Sequence, residues 1–159
     1  MPAIVIHQIE SPAELDCAFA IRRSVFIEEQ GVSEALEFDG LDREARHLLA
    51  SVGGAPAGTL RIRLLERGRV AKIERVAVLA PCRHLGIGRM LMDTALELAR
   101  SRGVDEVRLH AQTVVQRFYA GLGFVATGAV FEEDGIDHIA MVMSLVAPDR
   151  MAASGTGRR

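Results

Sequence analysis

The segment Arg83-His84-Leu85-Gly86-Ile87-Gly88-Arg89 places two glycines and two arginines where an apolar run gives way to an amphipathic one. Residue types at that spacing suit a bulky anion. The first turn of a helix carries N–H groups without partners, and its dipole end is positive. Glycine lets a backbone approach a phosphate without interference from a Cβ. Arg83 and Arg89 could add charge-assisted hydrogen bonds. A pyrophosphate fits this chemistry better than a metal or an apolar ligand. Two phosphate loops are excluded. One must end in Gly-Lys-Ser/Thr, whereas Gly88 is followed by Arg89-Met90; the dinucleotide fingerprint needs glycine or alanine at position 91, which is Leu91. The alternative is a helix start that uses glycine only for a tight turn.

Other reactive side chains are sparse. Tyr119 is the only tyrosine, and the five histidines show no zinc-ligand spacing, so no metal is expected. Cys82 stands beside Arg83 near a helix start, which would lower a thiol pKa; a small residue in a loop is the plainer reading. Glu34, Glu37, Asp39 and Asp42 make an acidic stretch. With Glu29, two of them, Glu37 and Asp39, could line a pocket that attracts a cation such as a primary amine. A solvated acidic loop is the alternative.

The elements that must position these residues are legible. Residues 3–9 read as a strand. Ser11-Pro12-Ala13-Glu14 reads as a capping box opening a helix that runs to about Glu29, with Gly31 as its stop. Three strands follow, at 46–52, 57–65 and 70–79, separated by turns at 53–56 and 66–69. Val76-Ala77-Val78-Leu79 is apolar on both faces, which predicts a central strand. The loop 80–88 leads to a helix ending near Arg102, with Ile87, Met90, Leu91, Thr94, Ala95, Leu98 and Ala99 as its buried stripe. A strand at 104–111, a short helix at 113–122 and two strands, 124–131 and 138–146, around the turn Asp134-Gly135 complete the body. This order predicts an α/β fold with one mixed sheet, mostly antiparallel and flanked by helices. Residues 1–147 form the expected domain, and 148–159, small, polar and glycine-containing, a disordered tail.

The bulk properties agree. A chain of 159 residues suits one domain, and 49% apolar with 25% charged residues is ordinary for a globular protein. A net charge of −2 gives no basic footprint for nucleic acid. No apolar run is long enough for a membrane span, and no signal-peptide pattern opens the chain. Two cysteines form no disulfide framework. A reduced, cytoplasmic protein is expected.

The stretch from Glu74 to Gly88, an apolar strand followed by Arg-x-x-Gly-x-Gly and a helix, resembles the coenzyme A motif of the GNAT acetyltransferase superfamily. Residues 112–124, with Phe118-Tyr119 and Leu122-Gly123-Phe124, are similar to the next motif of that superfamily. Arg22-x-x-Val25-Phe26-x-x-Glu29-Gln30-x-Val32, Glu37-Phe38-Asp39, His110-Ala111-Gln112 and Asp137-His138 resemble its ElaA-like branch. The likeness covers about residues 3–146. Gln112 and Val115 depart from the asparagine and alanine of many members.

The resemblance implies an N-acetyltransferase that moves an acetyl group from acetyl-CoA to the amine of a small acceptor. Val76, Ala77 and Val78 would lie along the pantetheine arm, beside a sheet that splays after residue 75. A backbone N–H near Val76 would face the thioester oxygen. Arg83, His84, Leu85, Gly86, Ile87, Gly88 and Arg89 would hold the pyrophosphate, and Gln112 would keep a polar contact. Tyr119 would be the general acid to the leaving thiolate. Glu74 is the candidate base, through water, or a carboxylate paired with Arg61 or Arg63; His110 and His138 are alternative bases. The superfamily often forms dimers, which leaves a homodimer open. The rival function is a CoA-binding sensor or interaction module without turnover.

Overall fold

The computed structural model describes residues 2–146. The expected tail, 148–159, and the expected domain boundary at 147 lie outside them. Among the described residues seven strands form one sheet: β1 (Ile4–Gln8), β2 (Arg46–Val52), β3 (Ala55–Leu65), β4 (Val70–Val78), β5 (Glu106–Gln112), β6 (Val125–Glu133) and β7 (Ile136–Ser144). Their spatial order is β1-β2-β3-β4-β5-β7-β6. Only β4 and β5 pair in parallel, and every other neighbour is antiparallel. The mixed, mostly antiparallel sheet follows the sequence expectation, with β4 at its centre.

Helix α1 (Pro12–Arg22) starts as the capping box requires: the Ser11 hydroxyl accepts from the Glu14 N–H at 3.2 Å. The helix continues to Glu29, but its last seven residues, Arg23–Glu29, are wound as a π-helix. Such segments are rare, and side-chain spacing did not foretell this one. The acidic stretch contains a short helix, α2 (Glu34–Glu37), capped by Ser33. Helix α3 (Ile87–Ser101) begins one residue before Gly88, so that glycine lies in the first helical turn and not in the loop. Met92 and Leu96 are buried in its stripe, whereas Met90, Thr94 and Leu98, which the sequence reading placed there, are only half-buried. A short helix, α4 (Gln116–Leu122), ends at Gly123.

Helix α3 covers one face of the sheet, where Leu91, Met92, Ala95 and Ala99 pack on Leu48, Leu60, Ile62, Ala71 and Val107. Helix α1 covers the other, where Ile21 and Val25 meet Leu49 and Ala77. Close approach of α3 depends on Gly58. A Cβ there would lie 3.1 Å from the Ala77 carbonyl oxygen, 3.1 Å from Ile87 Cγ2 and 3.2 Å from Leu91 Cδ1. Glycine on β3 thus lets the first turn of α3 sit against the end of β4.

A bulge in β4 sets the phase of that end. Thr59 pairs with Ala77 and Arg61 with Glu74, so Leu60 stands opposite both Arg75 and Val76. Arg75 takes φ +58°, a left-handed conformation costly for a residue with a Cβ. The extra residue shifts the alternation. Ala71 and Ile73 face α3, and after the bulge Val76 and Val78 do so, while Ala77 turns to α1.

Candidate active site

The splay begins earlier than residue 75. Pairing of β4 with β5 covers only Val70–Lys72 against Glu106–Arg108. Beyond Lys72 the parallel strands separate, and a cleft of about 700 Å³ opens between them. Val76, Ala77 and Val78 line it on one side, and Gln112 and Tyr119 on the other. Gly86, Gly88, Arg89 and Arg83 border the end where α3 begins.

That end offers backbone donors. Gly86, at φ +78°, turns the chain into the helix, and a Cβ on it would meet nothing within 4 Å. The Met90 N–H bonds the Gly86 carbonyl at 3.2 Å. The N–H groups of Ile87, Gly88 and Arg89 precede that bond and have no helical carbonyl to reach. Of the sequence-predicted loop residues, His84, Leu85 and Ile87 do not line the cleft. His84 is exposed, Leu85 half-buried, and the Ile87 side chain lies in the core; any part it plays at the anion site belongs to its backbone.

Arg83 is turned differently from the sequence expectation. Its Nη2 donates to Glu29 at 2.7 and 2.8 Å, and its Nε donates to the Val78 carbonyl at 3.0 Å. Gln112 donates from its amide to Gln30 Oε1 at 2.9 Å. Both contacts tie the end of the π-helical segment to the cleft.

Tyr119 is 8% exposed, with Phe118 and Phe124 edge-on to its ring at 4.9 and 6.1 Å. Burial pushes its phenol up to about 12, so the hydroxyl stays protonated at neutral pH. Phe118 is only half-buried and lines the cleft beside Gly88.

Glu74 lines the cleft as well, but its oxygens are taken. Arg63 donates to both at 2.9 Å, Arg61 donates to Oε2, and Lys72 Nζ stands 3.2 Å from Oε1. Burial raises its pKa, but the hydrogen bonds and charges of Arg63 and Arg61, with Lys72, outweigh that and bring it to about 2. A carboxylate so held is a weak proton acceptor at neutral pH. The arginine-paired reading describes what Glu74 does here, and with both arginines at once.

The acidic stretch is exposed at Glu34 and Asp39 and pinned at Glu37 and Asp42. Arg22 and Arg61, each 1% exposed, anchor it from beneath. Arg22 bonds Glu37 and Asp42, and Arg61 bonds Asp39 and Asp42. Arg75, at the bulge, reaches Glu37 and Asp39. Glu29 and Glu37 line the cleft as expected, whereas Asp39 does not.

The sequence reading missed Glu133. It lines the cleft between two histidines, 3.3 Å from His110 Nδ1 and 3.7 Å from His138 Nε2. The only signal was its place beside the Asp134-Gly135 turn. The decisive neighbour, His110, arrives through the β5–β7 pairing, which no local pattern encodes.

The family model of the acetyltransferase (GNAT) domain matches residues 11–145. The chain belongs to the GNAT acetyltransferase family. That family uses an acyl-CoA cosubstrate. Among relatives of this GNAT chain, YyaT of Bacillus subtilis (strain 168) is 39% identical over 143 residues, covering 88% of this chain and 95% of that protein. ElaA of Escherichia coli (strain K12) is 30% identical over 151 residues, covering 88% and 94%. The crystal structure of ElaA superposes with a TM-score of 0.78 over 89% of this chain and all of that one, at 28% identity. An acyl-CoA N-acyltransferase from Pseudomonas aeruginosa superposes with a TM-score of 0.79 at 31% identity, over 89% and 100%. The likeness to the ElaA branch noted in the N-terminal helix thus extends over most of this GNAT chain.

Among the described residues no three His, Cys, Asp or Glu side chains are placed to hold a metal ion, and no helix is long and apolar enough to cross a membrane.

Proposed function

We propose that this chain is an acetyl-CoA-dependent N-acetyltransferase acting on the amine of a small-molecule acceptor. One observation carries the reading: the unpaired length of β4, the donor-rich start of α3 and the buried phenol of Tyr119 border a single cleft.

Bound acetyl-CoA would supply the thioester, and the chain supplies the rest. Gly86, Gly88 and Arg89, with the backbone of Ile87, hold the pyrophosphate. The backbone of Val76, Ala77 and Val78 takes the pantetheine arm as an added strand. An N–H near Val76 stabilises the oxyanion that forms as the amine attacks. Tyr119 donates to the leaving thiolate. A phenol at about 12 holds its proton more firmly than a thiol near 8.5, so its main contribution is a hydrogen bond to the forming anion. Gln112 adds a polar contact from β5. Glu74 fixes Arg61 and Arg63 under the cleft floor.

Residues 1–147 form the catalytic domain in this reading, of a cytoplasmic enzyme that needs neither metal nor nucleic acid nor membrane. A homodimer is the assembly to check by light scattering.

The donor half is tested by ligand-linked melting. Acetyl-CoA at about a hundred times its dissociation constant should add roughly 2.7 kcal/mol, a rise in Tm on the order of 5 °C. Pantetheine without phosphates should shift the transition much less. Equal shifts would show that the start of α3 does not hold a pyrophosphate, and tighter binding of ATP than of acetyl-CoA would point to a nucleotide-binding protein.

A further inference from the structure

The acceptor amine must lose a proton, and Glu74 is poorly suited to take it. At the other side of the cleft, the β6–β7 hairpin carries a better-placed group. His138 is 8% exposed and lines the cleft. It pairs in register with Gln112 of β5 and Phe131 of β6. Its Nδ1 lies 2.7 Å from the Ile136 carbonyl oxygen. A carbonyl only accepts, so Nδ1 carries the hydrogen, and in the neutral ring Nε2 holds the lone pair. The Phe131 ring stacks on the imidazole at 6.0 Å and 24°, fixing its plane.

The charged neighbours suit proton uptake. Glu133 Oε2 stands 3.7 Å from His138 Nε2, where it would stabilise an imidazolium once formed. His110, the other titratable group facing this carboxylate, meets its Oε1 through Nδ1 at 3.3 Å. Among the described residues no backbone carbonyl fixes the His110 ring, whose side chain is 33% exposed.

Resting on the acyltransferase reading, we propose that His138 is the general base, its Nε2 taking the proton from the acceptor amine. An acceptor ammonium gives one proton to Nε2, which frees the nitrogen lone pair. That lone pair forms the N–C bond to the acyl carbon, and the electron pair of the C–S bond leaves on sulfur. The nitrogen's second proton passes to the leaving sulfur, to which the Tyr119 hydroxyl donates a hydrogen bond. Amide and thiol are formed, and one proton goes to solvent from His138. The imidazole side chain suits this exchange because its ordinary pKa lies near neutrality.

The test has a spectroscopic and a kinetic arm. Imidazole ¹⁵N NMR of the wild-type protein should show that the neutral form of the His138 ring carries its hydrogen on Nδ1; a neutral ring with its hydrogen on Nε2 overturns the proposal. For kinetics, primary alkyl amines and hydroxylamine are the probe acceptors, and thiol release from acetyl-CoA is the readout. His138→Gln should lose about 10²- to 10⁴-fold in kcat with the fastest alkyl amine. The loss should shrink as rising pH deprotonates the amine. Hydroxylamine, already neutral at neutral pH, should lose less than about tenfold, and acetyl-CoA affinity should change by less than about threefold. Glu133→Gln, at an exposed side chain, should move the acidic limb of the kcat/KM profile to lower pH in a folded protein. Full alkyl-amine turnover by His138→Gln, or an unmoved limb in Glu133→Gln, overturns the base and leaves the transferase standing. No thiol release by wild type with any probe overturns the transferase reading and the base with it.

Discussion

Glu29 grips Arg83 with both carboxylate oxygens, 2.7 and 2.8 Å from Nη2, and so joins the end of the π-helical segment to the glycine turn before α3. A pyrophosphate arriving at α3 must compete with Glu29 for that guanidinium. Both side chains are partly exposed, and such pairs are worth about 0–1 kcal/mol. Glu29→Gln should therefore tighten acetyl-CoA binding, by up to about fivefold, as read by calorimetry. Weaker binding would mean that Glu29 aims Arg83 at the ligand and does not hold it back.

Tyr119→Phe keeps the ring packed between Phe118 and Phe124 and removes only the hydroxyl. A donor at the sulfur acts mainly in the transition state. The variant should lose at least about tenfold in kcat, with acetyl-CoA affinity changed by less than about threefold. Single-turnover kinetics on the folded variant decides it, and an unchanged chemical step removes Tyr119 from the mechanism.

Gly58→Ala should destabilise the fold although the side chain gained is a single methyl. Its Cβ would press on the Ala77 carbonyl as well as on Ile87 and Leu91, and the backbone oxygen cannot swing away. Overpacking of this kind costs about 1–3 kcal/mol, or a fall in Tm on the order of 2–10 °C. A melting temperature equal to wild type would show that α3 can ride up without cost.

Acid should unfold the chain through the network under the cleft. Burial raises Glu74, Asp39 and Asp42, but Arg22, Arg61, Arg63 and Arg75 among them outweigh it and hold all three below their ordinary values. Groups with lowered folded pKa values stabilise the fold at neutral pH. That contribution is lost as pH falls, for Glu74 between 4.5 and about 2. Glu37 works the other way, because burial leaves its pKa raised against the pull of Arg75 and Arg22. Three groups against one should give a stability that declines below about pH 4.5. Denaturant titrations across pH 2–7 check the sign, and Asp42→Asn should flatten the slope. A stability that rises on acidification contradicts the network's role.

Much of this was legible because it is local. The Ser11 cap, the Asp134-Gly135 turn and the start of α3 each follow from a few adjacent residue types, and the strands from short apolar runs. What escaped depends on contacts remote in sequence. Arg22 and Arg61 stand at positions that read as one helix face and one strand alternation, and their burial is understood only when partners 13 to 22 residues away arrive. The bulge at Arg75 leaves no mark in composition, yet it decides that Ala77 faces α1. Glu74 showed its carboxylate in the sequence and concealed its neighbours, so a candidate base turned out to be an anchor for two arginines.

The central claim is transfer of an acetyl group from acetyl-CoA to an amine. Its most direct measurement is release of free thiol from acetyl-CoA across a library of primary amines, with the product identified by mass. The expected result is amine-dependent thiol release, with an N-acetylated product in matching amount. Tight binding of acetyl-CoA with no release above the solvent rate for any amine would contradict it and identify the cleft as that of a binding module.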